Sequence, residues 1–249
     1  MATYNFNTST SGISDRASQR SLLSKTFLYM FLFLMITVAV SISVSLIFQN
    51  CGLSTEGVIT EQIAKAYTIT MITASVAQIV LTIVIVFTSL RQGKAKVIPI
   101  VLYAICMGVL ISSFSLYLNW WTLAATFGIA ALSFGGMALL GVTVKNATGL
   151  GLVGFGLLFS VVMASMFNLI FALLLPGVWL VQNIVTSFIL VIAIMLITAY
   201  DVYNIKQISM RCQADNNLAL YLAFNLYLDF IIILIHLLRL VVILGADRR

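Results

Sequence analysis

The chain has 249 residues, of which 62% are hydrophobic and only 8% charged, where a soluble domain carries about 25% charged residues. That composition excludes an ordinary soluble globule. The net charge of +6 is spread over short loops, which reads as membrane topology and not as a nucleic-acid footprint.

A membrane span needs about 20 apolar residues, and seven such stretches follow one another, at about 27–48, 67–90, 98–118, 121–144, 150–175, 178–204 and 218–244. The expected fold is an all-α membrane protein of seven transmembrane helices with helix seven central. The expected organisation is a disordered cytoplasmic tail over 1–24, a seven-helix domain over 25–245 and a short C-terminal tail over 246–249. The Ser/Thr-rich start, MATYNFNTSTSGISDRASQR, has too few apolar residues to order itself. It is no signal peptide, because the apolar run after it is too long and lacks a cleavage site.

The basic residues fix an expected orientation. Arg16, Arg20 and Lys25 precede span one; Arg91, Lys94 and Lys96 follow span two; Lys145 follows four; Lys206 and Arg211 follow six. The opposite connections hold Glu56, Glu61 and Lys65 and then no charge. The positive-inside rule therefore makes the N-terminus cytoplasmic. Arg248 and Arg249 then fit poorly outside, and a last helix that dips in without crossing is the alternative.

Within the spans, the Ser and Thr hydroxyls, such as Thr37, Ser41, Ser45, Ser112, Ser113 and Ser115, are expected to bond back to carbonyls one turn earlier. In span two Ser75, Gln78, Thr82 and Ser89 share a face, and Gln78 is expected to make an interhelical bond. The run GLGLVG at 149–154 matches a dinucleotide fingerprint in letters only, since no strand precedes it and no acid follows. Gly149, Gly151, Gly154 and Gly156, with Gly135, Gly136 and Gly141, read as packing surfaces that bring spans four and five together. Cys51, Cys106 and Cys212 share no metal-ligand spacing and read as small buried or loop residues.

The last two spans carry the chemistry. Tyr221, Asn225, Asp229, His236 and Arg239 lie within an arc of about 80° on span seven. Asn183, Ser187, Thr198, Asp201 and Asn204 share a face of span six. No other Asp or Glu lies inside a span. A charged side chain at a helix centre costs roughly 2.5–3.5 kcal/mol on insertion scales, and such residues mark ion pathways and proton relays. Two carboxylates brought together out of water do not both ionise freely, and they titrate as a unit. Arg239 on the same stripe and Arg91 at the end of span two are the candidate charge partners. Tilt and a partly unwound start of span seven would bring the two carboxylates to one level.

AYDVYNIKQI at 199–208, followed by LYLDFIIILIHLLRL at 226–240, resembles the paired signature of the Bax inhibitor-1 family, also called TMBIM or Lifeguard, in its bacterial form. The resemblance covers residues 25 to 245 and is specific in the last two spans. It implies that Asp201 and Asp229 form a pH-sensing aspartyl pair and that Arg239 is the arginine of span seven. It also implies that Arg91 stands near the basic end of span two that tethers the pair. Bacterial relatives can carry a glutamate within span two, where this chain has Gln78 and no acid; the resemblance therefore does not carry over a Glu–Arg contact with Arg239, and a Gln78–Arg239 contact would be a neutral-to-charged hydrogen bond.

The implied function is a pH-sensitive calcium leak channel, with calcium as permeant ion, held weakly and transiently by Asp201 and Asp229, and with no cofactor. Gln78, Asn225 and His236 are candidate members of the polar pathway. The expected partners are the bilayer, calcium and protons, with no nucleic acid and a monomer as the expected state. The expected location is a bacterial plasma membrane, with the endoplasmic reticulum or Golgi as alternative. A proton-coupled cation transporter and a non-conducting adaptor regulating cell death or membrane-protein turnover are the alternative functions. An enzyme is not expected. An intramembrane aspartyl protease would need G-x-G-D and P-A-L elements, whereas Asp229 sits in LYLD and the prolines are Pro99 and Pro176. A retinal protein would need a lysine in span seven, which has none.

Overall fold

A computed structural model describes residues 11–50, 61–92, 97–116, 118–174, 179–211 and 216–246, and the side-chain surroundings of 22–48, 50, 65–87, 97–115, 118–166, 182–210 and 216–245. The described residues form seven α-helices and no strand: α1 Ser11–Asn50, α2 Glu61–Gln92, α3 Val97–Ser112, α4 Trp120–Thr143, α5 Thr148–Leu174, α6 Trp179–Arg211 and α7 Asn216–Ala246. All seven are long and apolar enough to cross a membrane. Helices suit that solvent because each backbone N–H and C=O finds its partner within the same segment. Outward faces are correspondingly greasy: Trp121, Leu132 and Leu152 are all more than three-quarters exposed on the isolated chain.

Two boundaries differ from the sequence-based expectation. Helix α1 begins at Ser11, inside the segment expected to be a disordered tail. α7 runs unbroken from Asn216, so no unwound start precedes Asp229. Its 30-residue apolar stretch is about 45 Å long at 1.5 Å per residue, enough to cross a hydrocarbon core of about 30 Å. Cys51 and Cys212 lie outside the described residues, and Cys106 is a half-buried free thiol on α3.

Helix α7 packs against α1, α4 and α6, and more lightly on α3; α6 packs against α1, α4, α5 and α7. The glycines explain one side of this arrangement and correct one expectation. α4 and α5 do not close on each other through them; each closes on α6. A Cβ at Gly141 would run into the Ala199 carbonyl and lie 2.9 Å from Val202 Cβ. One at Gly151 would lie 2.6 Å from the Tyr200 ring, and one at Gly154 2.9 Å from Ile197. The reason is α6 itself, which offers buried Ala193 and Ala199 as a low surface on which a neighbouring backbone can rest. Gly135, Gly136, Gly149 and Gly156 have nothing within 4 Å of a Cβ, so they are not close-packing positions.

The α3–α4 side ends in a tightened turn over Ser113–Leu116. Ser112, Ser113 and Ser115 each donate to the carbonyl three residues back, at 2.6–2.7 Å, and Ser115 also meets Ser45 of α1 at 2.8 Å. These serines thus bond back as the sequence suggested, to the carbonyl three residues earlier.

Candidate ion site

Asp229 is 7% exposed, and its Oδ2 has no hydrogen-bond partner among the described residues. Asp201 of α6 is half-buried and within electrostatic reach of it. Thr198, one turn before Asp201, lies against the Asp229 carboxyl while donating to the Ile194 carbonyl at 2.8 Å. The two antiparallel helices therefore bring together the two carboxylates that the sequence singled out. No described Lys or Arg stands against either one. No third Asp, Glu, His or Cys joins them among the described residues to make a metal-binding group.

The expected charge partners are placed differently. Arg239 is ten residues from Asp229, about 15 Å further along α7, and donates to Asn183 Oδ1 of α6 at 2.7 Å. It staples the far ends of α6 and α7 and does not neutralise the pair. Arg91 lies at the end of α2, and its side chain is outside the described residues. Lys206, in the same signature as Asp201, donates to the Val142 carbonyl at 2.6 Å. It thereby places a cation on the C-terminal turn of α4, where the helix dipole favours one.

The polar pathway residues also separate. Gln78 makes the interhelical bond expected of it, but not to Arg239. Gln78 Nε2 donates instead to Tyr103 Oη at 2.9 Å and approaches Met107 Sδ at 3.4 Å, because α2 packs on α3 and its amide faces that helix. Asn225 is half-buried on α7. His236 is half-buried near Arg239, with a buried Nδ1 that has no hydrogen-bond partner among the described residues.

On another face of α7, about 200° round the helix from Asp229, lies a knot that sequence reasoning missed. Thr37 of α1 donates to Phe33 O at 3.0 Å, approaches Ala104 O of α3 at 3.2 Å, and meets Tyr227 Oη of α7 at 2.8 Å. The Tyr227 ring stands edge-on to Phe33 and Tyr103 at 6.1 and 6.3 Å, and Phe224 is edge-on to Tyr103 at 5.3 Å. Phe230, the residue after Asp229, is held edge-on by Phe127 and Phe134 of α4 at 5.4 and 5.6 Å. Aromatic contacts thus clamp α7 on both sides of its carboxylate. The available signal was Tyr227 itself, a polar-tipped ring two residues before Asp229 that needs a partner when buried.

Residues 19–249 match the family described as "Inhibitor of apoptosis-promoting Bax1". The chain is 33% identical over 143 residues to an uncharacterised protein of Borreliella burgdorferi, across 55% of this chain and 59% of that protein. It is 31% identical over 175 residues to inner membrane protein YbhL of Escherichia coli K12, across 66% of this chain and 70% of YbhL. The same match is found with YbhL of Escherichia coli O6:H1.

Proposed function

The chain belongs to the Bax inhibitor-1 family, and from that premise we propose that it is a pH-sensitive calcium leak pathway of a bacterial membrane. The observation that carries this reading is the buried Asp229, with a carboxyl oxygen unpartnered among the described residues, facing Asp201 across the α6–α7 interface. Calcium takes 6–8 oxygen ligands. Two carboxylates supply at most four, so water and backbone carbonyls complete the shell. A site that incomplete holds its ion weakly, which conduction requires.

Beyond Asp229 the conformation is shut. Ile231, Ile233, Leu234 and Leu238 are apolar and each at most 3% exposed, which supports reading α7 here as closed to ions. Opening requires α7 to shift against α6. With both carboxylates charged, a cation between them draws the two helices together, and Arg91 is our candidate for that tether. Protonating one member removes about half of that attraction, so calcium flux rises as pH falls from about 8 to about 6.

The family's description, as an inhibitor of apoptosis-promoting Bax1, favours a second reading: an adaptor that acts on other proteins without conducting. Calcium uptake into liposomes holding purified protein, over a pH series, separates the two. The channel reading expects Asp201→Asn to flatten the pH profile with high leak. It expects Asp229→Asn to flatten it with high leak, or with none if Asp229 is the main ligand. No uptake by the wild type at any pH would leave the adaptor, and both variants keeping the wild-type pH profile would remove the pair as the sensor.

A further inference from the structure

Between α1 and α4 lies an almost wholly apolar crevice of about 310 Å³. Its floor is α7: Ile231, Leu234 and Leu238 line it and are buried. Its rim residues Ile42 and Trp120 are 42% and 44% exposed, and the helix faces on either side, with Phe31 and Met35 on α1 and Trp121 and Ile129 on α4, are exposed and apolar. In a chain whose helices cross the bilayer, that mouth opens sideways onto lipid hydrocarbon. Ligand pockets run from about 300 to 1,000 Å³, and an apolar cavity of about 150 Å³ already binds benzene.

We propose that this crevice is a binding site for one acyl chain of a bilayer phospholipid, taken from the leaflet nearest the α3–α4 connection. The shape of the crevice carries the proposal. Its α1 wall descends from Ile42 to Leu34 and its α4 wall from Trp120 to Phe127, so it runs along the helices for about 10–12 Å at 1.5 Å per residue. That is most of one leaflet of a hydrocarbon core about 30 Å thick, and it lies parallel to the chains beside it. The chemistry agrees. The Thr37 hydroxyl on the wall is already committed to Tyr227, Phe33 and Ala104, and Ser41 is the other hydroxyl in a lining otherwise apolar, so the crevice favours an apolar guest. An unfilled void forfeits dispersion contacts along its whole lining, and a neighbouring methylene chain restores them without leaving apolar surroundings. Trp120, the first residue of α4, marks the mouth at the depth where tryptophan meets the headgroups. A seated chain presses on the stretch of α7 that begins two residues after Asp229.

The test is photolabelling of the full chain in vesicles of phosphatidylethanolamine and phosphatidylglycerol, doped with a phospholipid carrying a mid-chain diazirine, with adducts mapped by mass spectrometry. The site predicts adducts on Ile231 or Leu234, whose side chains are sheltered from bulk lipid, as well as on exposed positions such as Phe87 and Leu132. Ala124→Phe, a change at an exposed wall position, fills the crevice and removes the α7 adducts while leaving those on Phe87 and Leu132. The same α7 adducts with either labelled headgroup show that the chain, not the head, is recognised. Adducts confined to exposed faces in the wild type, or α7 adducts that survive Ala124→Phe in protein that still folds, overturn the proposal. So does α7 labelling by a diazirine fatty acid in preference to the phospholipid.

Discussion

On one side of the bundle α4 and α5 rest on α6 through glycines, backbone against side chain, with Lys206 latching the end of α4. On the other side α1, α3 and α7 are joined by a hydroxyl-and-ring knot at Thr37, Tyr103 and Tyr227. The first kind of contact tolerates little displacement, since the glycine backbone lies directly on the Ala199 carbonyl, the Tyr200 ring or Ile197 with no side chain of its own between. On the second side α3 has a seat of its own on α1, where a Cβ at Gly108 would lie 2.7 Å from Thr37 O and 2.8 Å from Val40 Cβ, and it is α7 that is held there by hydrogen bonds and ring edges, which re-form after a small shift. Both carboxylates lie where the two sides meet, with Asp201 on α6 and Asp229 on α7. A movement of α7 against α6 therefore leaves the glycine seats of α4 and α5 in place.

The largest way to break this contrast is to wedge the rigid side. Gly141→Val drives a branched side chain into Ala199 and Val202 and should cost about 1–3 kcal/mol or more, the range of overpacking. Gly156→Ala meets nothing within 4 Å and should leave the melting temperature of the detergent-solubilised protein in place. Equal losses for the two would remove the distinction between seated and free glycines.

Next comes the staple between the two sides. Arg239→Ala takes the charged donor from Asn183 Oδ1 and should lower stability by about 1.5–3 kcal/mol, the value of a hydrogen bond to a charged group. It should also raise leak. A variant with wild-type melting and flux would make Arg239 a mere interfacial anchor that snorkels to the membrane surface.

Tyr227→Phe probes the soft side. It should cost about 0.5–1.5 kcal/mol, as should Thr37→Val, and the double variant should lose less than the sum because the two groups share one bond. Strict additivity in thermal unfolding would show that the knot is not a coupled unit. The smallest effect belongs to Lys206→Met, about 0.3–1 kcal/mol, the worth of a cation at a helix C-terminus. Fraying of α4 near Val142 in hydrogen exchange is the accompanying sign.

The seven helices were legible in the sequence because apolar runs long enough to span leave little choice of structure. Asp201 and Asp229 were legible for the same reason turned around: an acid in such a run stands out. Their partners were not. Gln78 and Arg239 both lay on suitable faces, yet Gln78 met Tyr103 and Arg239 met Asn183, because helical periodicity gives a face and not the neighbour across from it. Glycine spacing likewise announced close packing while leaving open that α6 was the helix being approached. Thr37 looked like one more back-bonding hydroxyl, and it does back-bond to Phe33. Its further reach to Tyr227 depended on tertiary placement alone.

The central claim, that the two sides separate at the carboxylate pair, is tested most directly by pulsed electron–electron distance measurement in liposomes. One spin-label pair would sit on Leu139 of α4 and Leu152 of α5, the other on Ser24 of α1 and Leu152, all exposed positions. As pH falls from about 8 to about 6, the range argued for the coupled carboxylates, the α4–α5 distance should stay fixed. The α1–α5 distance should lengthen or broaden, and Asp201→Asn should hold it in the low-pH distribution at every pH. An α1–α5 distance indifferent to pH, or one that changes in step with α4–α5, would contradict the account.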